Sequence, residues 1–385
     1  MISPNKVLFM ENPIKDKNED SNIKINDISL SEFDSISQES SLSLLENKNI
    51  SISLNTLFSS EKNEENLQSG INPMSPAPFN CPINRLYILS CFTNKISTEK
   101  LIDFLNNSSG EMIENIINQL NGIFQTIIKD KNGNYFCSEL FRICEQNQRI
   151  KILNELTDTI SENCCDKYST YPIQILIEMS SCENEYELIL KSFDDQNKLL
   201  FASLDPIGSY VIKKIIEHIP EKFRMKFNLQ FIKFITFISM KKYGLINAKK
   251  FIDHTKNKVN IKQITNLVLN NFISLATNNY GNYLVQYILE KWSNYTEINE
   301  IKVEIIDKFI ILCQNKFSAY ICDFFIKMAN IEEKRQLMNN INLNMDKINN
   351  NQNVMKFMSK IINPFESKYP KIKTKNNTNY INRRK

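Results

Sequence analysis

Residues 278–292 read NNYGNYLVQYILEKW. A helix opens here with Gly-Asn-Tyr, and Asn282 and Gln286 stand four positions apart within it. Residues i and i+4 are neighbours on a helix surface. The two carboxamides therefore form an adjacent pair, with Tyr283 beside them. A helix face turned to a core has no use for such a pair. Two amides and a flat ring suit one planar, hydrogen-bonding object.

The same phase recurs along the chain. Asn134, Tyr135 and Ser138 occupy it, then Thr170, Tyr171 and Gln174, then Ser209, Tyr210 and Lys213. Leu245, Ile246 and Lys249 follow, and after the opening stretch come Ala319, Tyr320 and Asp323. Asn353, Val354 and Phe357 continue it more faintly. The steps between successive first positions are 36, 39, 36, 37, 37 and 34 residues. One further step back from Asn134 reaches Thr98, with Glu99 and Ile102. Self-similarity at this period is the mark of a helical solenoid, in which each unit buries its apolar face only against its neighbours. Four of the seven glycines, Gly133, Gly208, Gly244 and Gly281, directly precede a first position, and Ser169 and Ser318 fill that slot in two other units. A small residue there lets a helix start close against its neighbour.

Composition agrees with an all-α chain. Hydrophobic residues make up 42% of the 385, enough for a sizeable core, and scarce glycine disfavours a turn-rich β protein. Stretches such as MIENIINQLNGIFQTII (residues 112–128) repeat apolar residues at three- and four-residue steps. Residues 1–80 differ: they are rich in Ser and Asn, and hold twelve acids against six lysines. With a chain total of +4, the remainder carries about +10, a basic body behind an acidic tail. The segment 1–80 is expected to be disordered, 85–365 to form the repeat domain, and 366–385 to be a basic disordered tail.

Several function classes are excluded. No apolar run reaches the ~18 residues that span a bilayer, and no signal-peptide pattern opens the chain, so a cytoplasmic, non-membrane protein is expected. Nine cysteines without paired metal spacing and only two histidines, His218 and His254, give no metal site, and most thiols read as small core residues. No nucleotide-binding loop or catalytic constellation occurs, so neither an enzyme nor a cofactor is expected.

A repeat of about 36 residues whose middle helix opens Gly-Asn-Tyr-x-x-Gln resembles the Pumilio (PUF) RNA-binding family. Residues 111–153 resemble the junction of that family's first two repeats, NNYGNYLVQYILE its sixth and NKFSAYICDFFIK its seventh. The resemblance covers about 280 residues. It implies a right-handed α–α superhelical solenoid of about eight three-helix repeats forming a crescent, its middle helices lining the inner face. It also implies single-stranded RNA running along that face, about one base per repeat. The stacking residues would be Tyr135, Tyr171, Tyr210, Tyr283 and Tyr320. The base-edge residues would be Asn134, Ser138, Thr170, Gln174, Ser209, Lys213, Lys249, Asn282, Gln286, Asp323 and Asn353, with Asn282 and Gln286 resembling a uracil-reading pair.

The chain departs from the family pattern in places. Ser138 replaces a Gln, and Asp323 stands one methylene short of a Glu. Leu245 and Ile246 make the fifth repeat a poor reader, and the eighth lacks a stacking ring. The implied function is a monomeric, sequence-selective mRNA-binding regulator acting through 3′ untranslated elements, with repressor or deadenylase partners. The alternatives are a protein-binding scaffold with a decayed code, or a PUF-like ribosome-biogenesis factor acting in the nucleolus.

Overall fold

The computed structural model describes residues 83–345 and 352–366. The tails expected over 1–80 and 366–385 lie outside these residues, apart from Glu366. Among the described residues the chain is helical, without strands, and no helix is long and apolar enough to cross a membrane.

The first seven repeats run short helix, inner helix, outer helix, the fifth with its short helix fused to the helix before it. In the second repeat these are Phe124–Ile127, Gly133–Ile143 and Gln146–Leu156. Eight inner helices follow one another: Lys95–Asn106, Gly133–Ile143, Thr170–Met179, Gly208–His218, Lys242–Asp253, Gly281–Lys291, Ser318–Met328 and Gln352–Glu366. Each packs against the next in that order, making a continuous row. The outer helices form a second layer behind it.

The inner helices show why the row has one open side. In Gly281–Lys291 the residues Leu284, Val285, Ile288 and Leu289 are buried, whereas Tyr283 and Glu290 are exposed and Gln286 and Tyr287 half-buried. The open positions recur at i, i+3, i+4 and i+7, a single stripe of a 3.6-residue helix. The other faces are spent on the two neighbouring inner helices and on the outer layer.

Two devices fix where each inner helix begins. The first is an Asx turn: Asp130 Oδ1 accepts from the N–H groups of Asn132 and Gly133 at 2.9 and 2.7 Å. Asp205 does the same for Ile207 and Gly208, Asn278 for Tyr280 and Gly281, and Asp166 and Asn315 for their own repeats. Side chains of this type bond their own backbone two and three residues on, and so start a helix. The second device is the small-residue slot. A Cβ on Gly133 would lie 2.7 Å from the Ile127 carbonyl oxygen, and one on Gly281 would lie 2.7 Å from that of Leu275. In the third and seventh repeats a serine occupies the slot and donates to the corresponding carbonyl, Ser169 to Asn163 at 2.5 Å and Ser318 to Leu312 at 2.6 Å. The carbonyl six residues back is thus approached in both cases, by a bare Cα or by a hydroxyl.

The fifth repeat departs from this scheme. The outer helix of the fourth repeat and the short helix of the fifth run together as Met225–Ser239. No Gly, Pro, Asn or Asp interrupts residues 229–239, and Phe231, Phe234, Ile235 and Ile238 are buried along them. Lys241 stands where other repeats place the Asx side chain, and no side chain caps the helix that follows.

Polar groups inside the outer layer tie repeats together. Arg149 Nε lies 2.7 Å from Glu185 Oε1, and both side chains are buried. Burial raises the Glu185 carboxyl, but the Ser181 N–H, Arg149 and the Cys182 N–H outweigh it and hold the group below its ordinary value. Arg224, the corresponding arginine of the fourth repeat, instead donates to Ile219 O, Asn228 Oδ1 and His254 O. Burial pulls it down to about 10, so it remains charged at neutral pH.

The slot gives a direct test. Gly281→Ala is expected to destabilise by about 1–3 kcal/mol, because the added methyl meets a backbone carbonyl that cannot swing aside. Ser318→Ala is expected to cost about 1 kcal/mol, the worth of one buried hydrogen bond. Urea midpoints at unchanged slope measure both. A Gly281→Ala midpoint equal to that of the unaltered chain would show the approach to be slack.

Candidate nucleic-acid interface

The open stripe of the inner-helix row holds the residues in the triplet phase. The middle position carries Tyr135, Tyr171, Tyr210, Ile246, Tyr283 and Tyr320 in six consecutive repeats, and all are 42–58% exposed. A ring fastened to a core is not left half open in this way, so the tyrosines present their faces outward at one per inner helix. Arg142 Nη2 donates to the Tyr171 hydroxyl at 3.1 Å, and so braces that ring from the preceding repeat.

The first position differs from what the sequence predicts. Asn134, Ser209 and Asn282 are buried rather than free to meet a base. Asn282 Nδ2 donates to the carbonyls of Asn278 and Asn279, at 2.8 and 3.1 Å, which uses both of its hydrogens. Asn134 repeats this with Asp130 and Lys131 at 2.9 and 2.7 Å. Asn at this position therefore locks the helix start. Thr170 remains half-buried at the same place, and Leu245 is buried.

At the third position Ser138 is also buried, its hydroxyl turned back to Asn134 O at 2.8 Å, which closes it as an edge contact. Gln174 is half-buried and donates to Thr170 Oγ1 at 3.2 Å. Gln286 is half-buried, and its amide donates to Asn282 Oδ1 at 3.0 Å and Asn282 O at 3.3 Å. With both N–H groups spent inward, Gln286 Oε1 is the acceptor left to the open side. Asn282 thus orients Gln286 instead of sharing a base edge with it.

Lys213 pairs loosely with Glu217, at 3.9 Å. Asp323 is paired with Lys327 at 2.6 Å and with Lys360 from the eighth repeat. Val354 and Phe357 of the eighth repeat are buried, Phe357 against Phe309 with ring centroids 5.9 Å apart. The side chain of Asn353 lies outside the described residues. Thr98 of the first repeat is buried and donates to Cys91 O.

A row of ion pairs runs beside the stripe. Glu178 joins Lys214 at 3.5 Å, Glu217 joins Lys250 at 2.9 Å and Asp253 joins Lys291 at 3.7 Å, each pair linking one inner helix to the next. Asp253 also accepts from the Tyr287 hydroxyl at 2.6 Å, and burial together with that bond pushes the phenol up.

Residues 124–157, 203–226 and 271–306 match the family model of the Pumilio-family RNA binding repeat. These three stretches are Pumilio-family repeats. Curated relatives include Pumilio homolog 12 and Pumilio homolog 11 of Arabidopsis thaliana, 21% and 28% identical over 52% and 42% of this chain. Pumilio domain-containing protein 6 of Caenorhabditis elegans is 22% identical over 44%. The matched stretches span about a third of each relative's length, 32%, 29% and 37% respectively. Among solved structures, the RNA-binding domain of yeast Puf5p bound to SMX2 RNA aligns with a TM-score of 0.65 at 18% identity, over 73% of this chain and 83% of that one. PUF-8 in complex with PBE-RNA aligns with a TM-score of 0.60 at 17% identity, over 76% and 87%.

Within these Pumilio repeats, sequence reasoning missed the Asx side chains, Arg142 and the Asp323 clamp. The Asx signal was present, as Asp or Asn recurring four residues before the first triplet position. The clamp has no local signal, since Lys360 comes from the next repeat.

The clamp sets a pH dependence. Lys327 and Lys360 hold the Asp323 carboxyl below its ordinary 3.8. A depressed carboxylate adds stability above its unfolded value and loses it as pH falls through the lowered one. On acidification from about pH 5 to about pH 2, Asp323→Asn should therefore lose less stability than the unaltered chain. Carbon-detected NMR of the Asp323 carboxyl should show its midpoint rising in Lys360→Met, and an unmoved midpoint would remove Lys360 from the clamp.

Proposed function

We propose that the tyrosine-bearing face binds single-stranded RNA, with bases stacked between successive rings. The observation that carries this is the row of exposed rings, one per inner helix, in repeats two, three, four, six and seven. Flat faces at a regular step suit unpaired bases, because every base has a π-face to offer. An extended peptide would offer no such series of planes. Half-buried Gln174 and Gln286 sit one helical turn from their rings, where a base edge would meet them. Gln286 Oε1 is an acceptor suited to the N3–H of uracil. The repeat family supports the same reading, and the similar solved domains are held with RNA.

The finer reading is a post-transcriptional regulator that recognises elements in mRNA 3′ untranslated regions and lowers translation or message lifetime. In its support, the Puf4 RNA-binding domain, which aligns with a TM-score of 0.57, is bound to a 3′ UTR recognition sequence. Under this reading the base-edge contacts fall to Gln174 and Gln286, with Asn282 and Asn134 holding the helix starts.

In vitro selection with the full chain and a random RNA pool should enrich a tract containing uracil. Tyr283→Ala should weaken binding to that tract by about 1–3 kcal/mol, the worth of one stacked base. Gln286→Ala should weaken it less and relax the preference at a single position. Unchanged affinity in both variants would overturn the assignment of this face.

A further inference from the structure

Building on that reading of the tyrosine face, we propose that the fifth repeat passes the RNA along unread. Lys249 grips the sugar–phosphate chain there, and the nucleotide between those met by the fourth and sixth repeats is free to be any base.

The triplet of this repeat has almost nothing with which to tell bases apart. Leu245 is buried and carries no polar atom. Ile246 is exposed, and its aliphatic surface packs against any base alike. Lys249 is the one polar side chain of the three. An ammonium offers donors and no acceptor, and every base edge displays acceptors, as does every phosphate.

The charge environment decides between base and backbone. Lys213, Lys214, Lys250, Lys291, Lys327 and Lys360 on the inner helices each lie against a carboxylate. Among the described residues no carboxylate closes an ion pair with Lys249. Its Nζ instead rests 5.5 Å from the Tyr283 ring centroid and 5.0 Å from that of Tyr287. Glu290 and Asp253 lie near enough to favour its charge without closing a pair, and Asp253 is already taken by Lys291 and the Tyr287 hydroxyl. Lys249 is thus a cation held by π-faces with no carboxylate in direct contact, beside a ring that stacks a base. A phosphate supplies a counter-charge in direct contact, and none of the four bases does. Burial pulls the ammonium down, which is the cost that such a counter-charge would relieve.

The repeat's build agrees. It lacks the Asx turn, and its short helix is fused into Met225–Ser239.

The test uses the full chain and the tract emerging from selection, synthesised with each of the four bases at the fifth-repeat position. The four should bind within about threefold of one another. Lys249→Met should weaken all four to the same extent and make the log–log salt dependence shallower by about 0.7, the value for one phosphate contact on a single strand. Lys249→Arg should keep both affinity and slope. A preference of more than about tenfold for one base in the unaltered chain, or an unchanged slope in Lys249→Met, would overturn the proposal. A selection yielding no tract would fail earlier and remove the RNA-binding reading itself.

Discussion

The contact on which the rest depends is the approach of the inner helices of the second to seventh repeats to a carbonyl six residues before the small-residue slot. Gly133 and Gly281 make it with a bare Cα, Ser169 and Ser318 with a hydroxyl. The contact sets the angular phase of the inner helix relative to its short partner. With the phase set, the residue two positions on must face the open stripe, and in five repeats that residue is a tyrosine. A shift of one residue would turn the ring by about 100°, into a neighbouring helix.

The same turn explains why polar residues of the stripe divide into two kinds. Asn134 and Asn282 lie near enough to the helix start to give both amide hydrogens to the carbonyls just before it, and so are consumed by the fold. Gln174 and Gln286, one turn later, lie beyond the reach of those carbonyls and keep an outward group. One Asn–Gln pair therefore joins a structural donor to a recognition acceptor, with the hydrogen bond from Gln286 to Asn282 Oδ1 as the link between them. Losing Asn282 would leave Gln286 present but unaimed.

Much of this was legible in the sequence because the signals were periodic. The solenoid, its inner helices and the outward tyrosines all follow from a spacing near 36 residues and from the helical step of apolar positions. Burial at the first triplet position was not legible. Asn and Ser are polar, and polarity read along the chain gives no hint that a backbone carbonyl waits within 3 Å. Contacts between repeats, such as Lys360 on Asp323 or Lys249 on Tyr283, were hidden for a related reason. These two join residues about one period apart, and neither pairing is repeated in the other units as the Glu178–Lys214 and Glu217–Lys250 pairs are. The fused helix Met225–Ser239 was missed because periodicity locates apolar faces, whereas helix ends depend on single breaking residues.

That continuous helix has a consequence for how the molecule comes apart. In a stack of repeats, unfolding can stop wherever the coupling between neighbours is weakest, commonly at a joint. Met225–Ser239 crosses the joint between the fourth and fifth repeats with unbroken backbone hydrogen bonding and a shared Phe231–Phe251 stack at 4.7 Å. Neither side can fray without unravelling the other. The centre of the array is thereby welded into one cooperative segment, and thermal opening is left to proceed from the two ends.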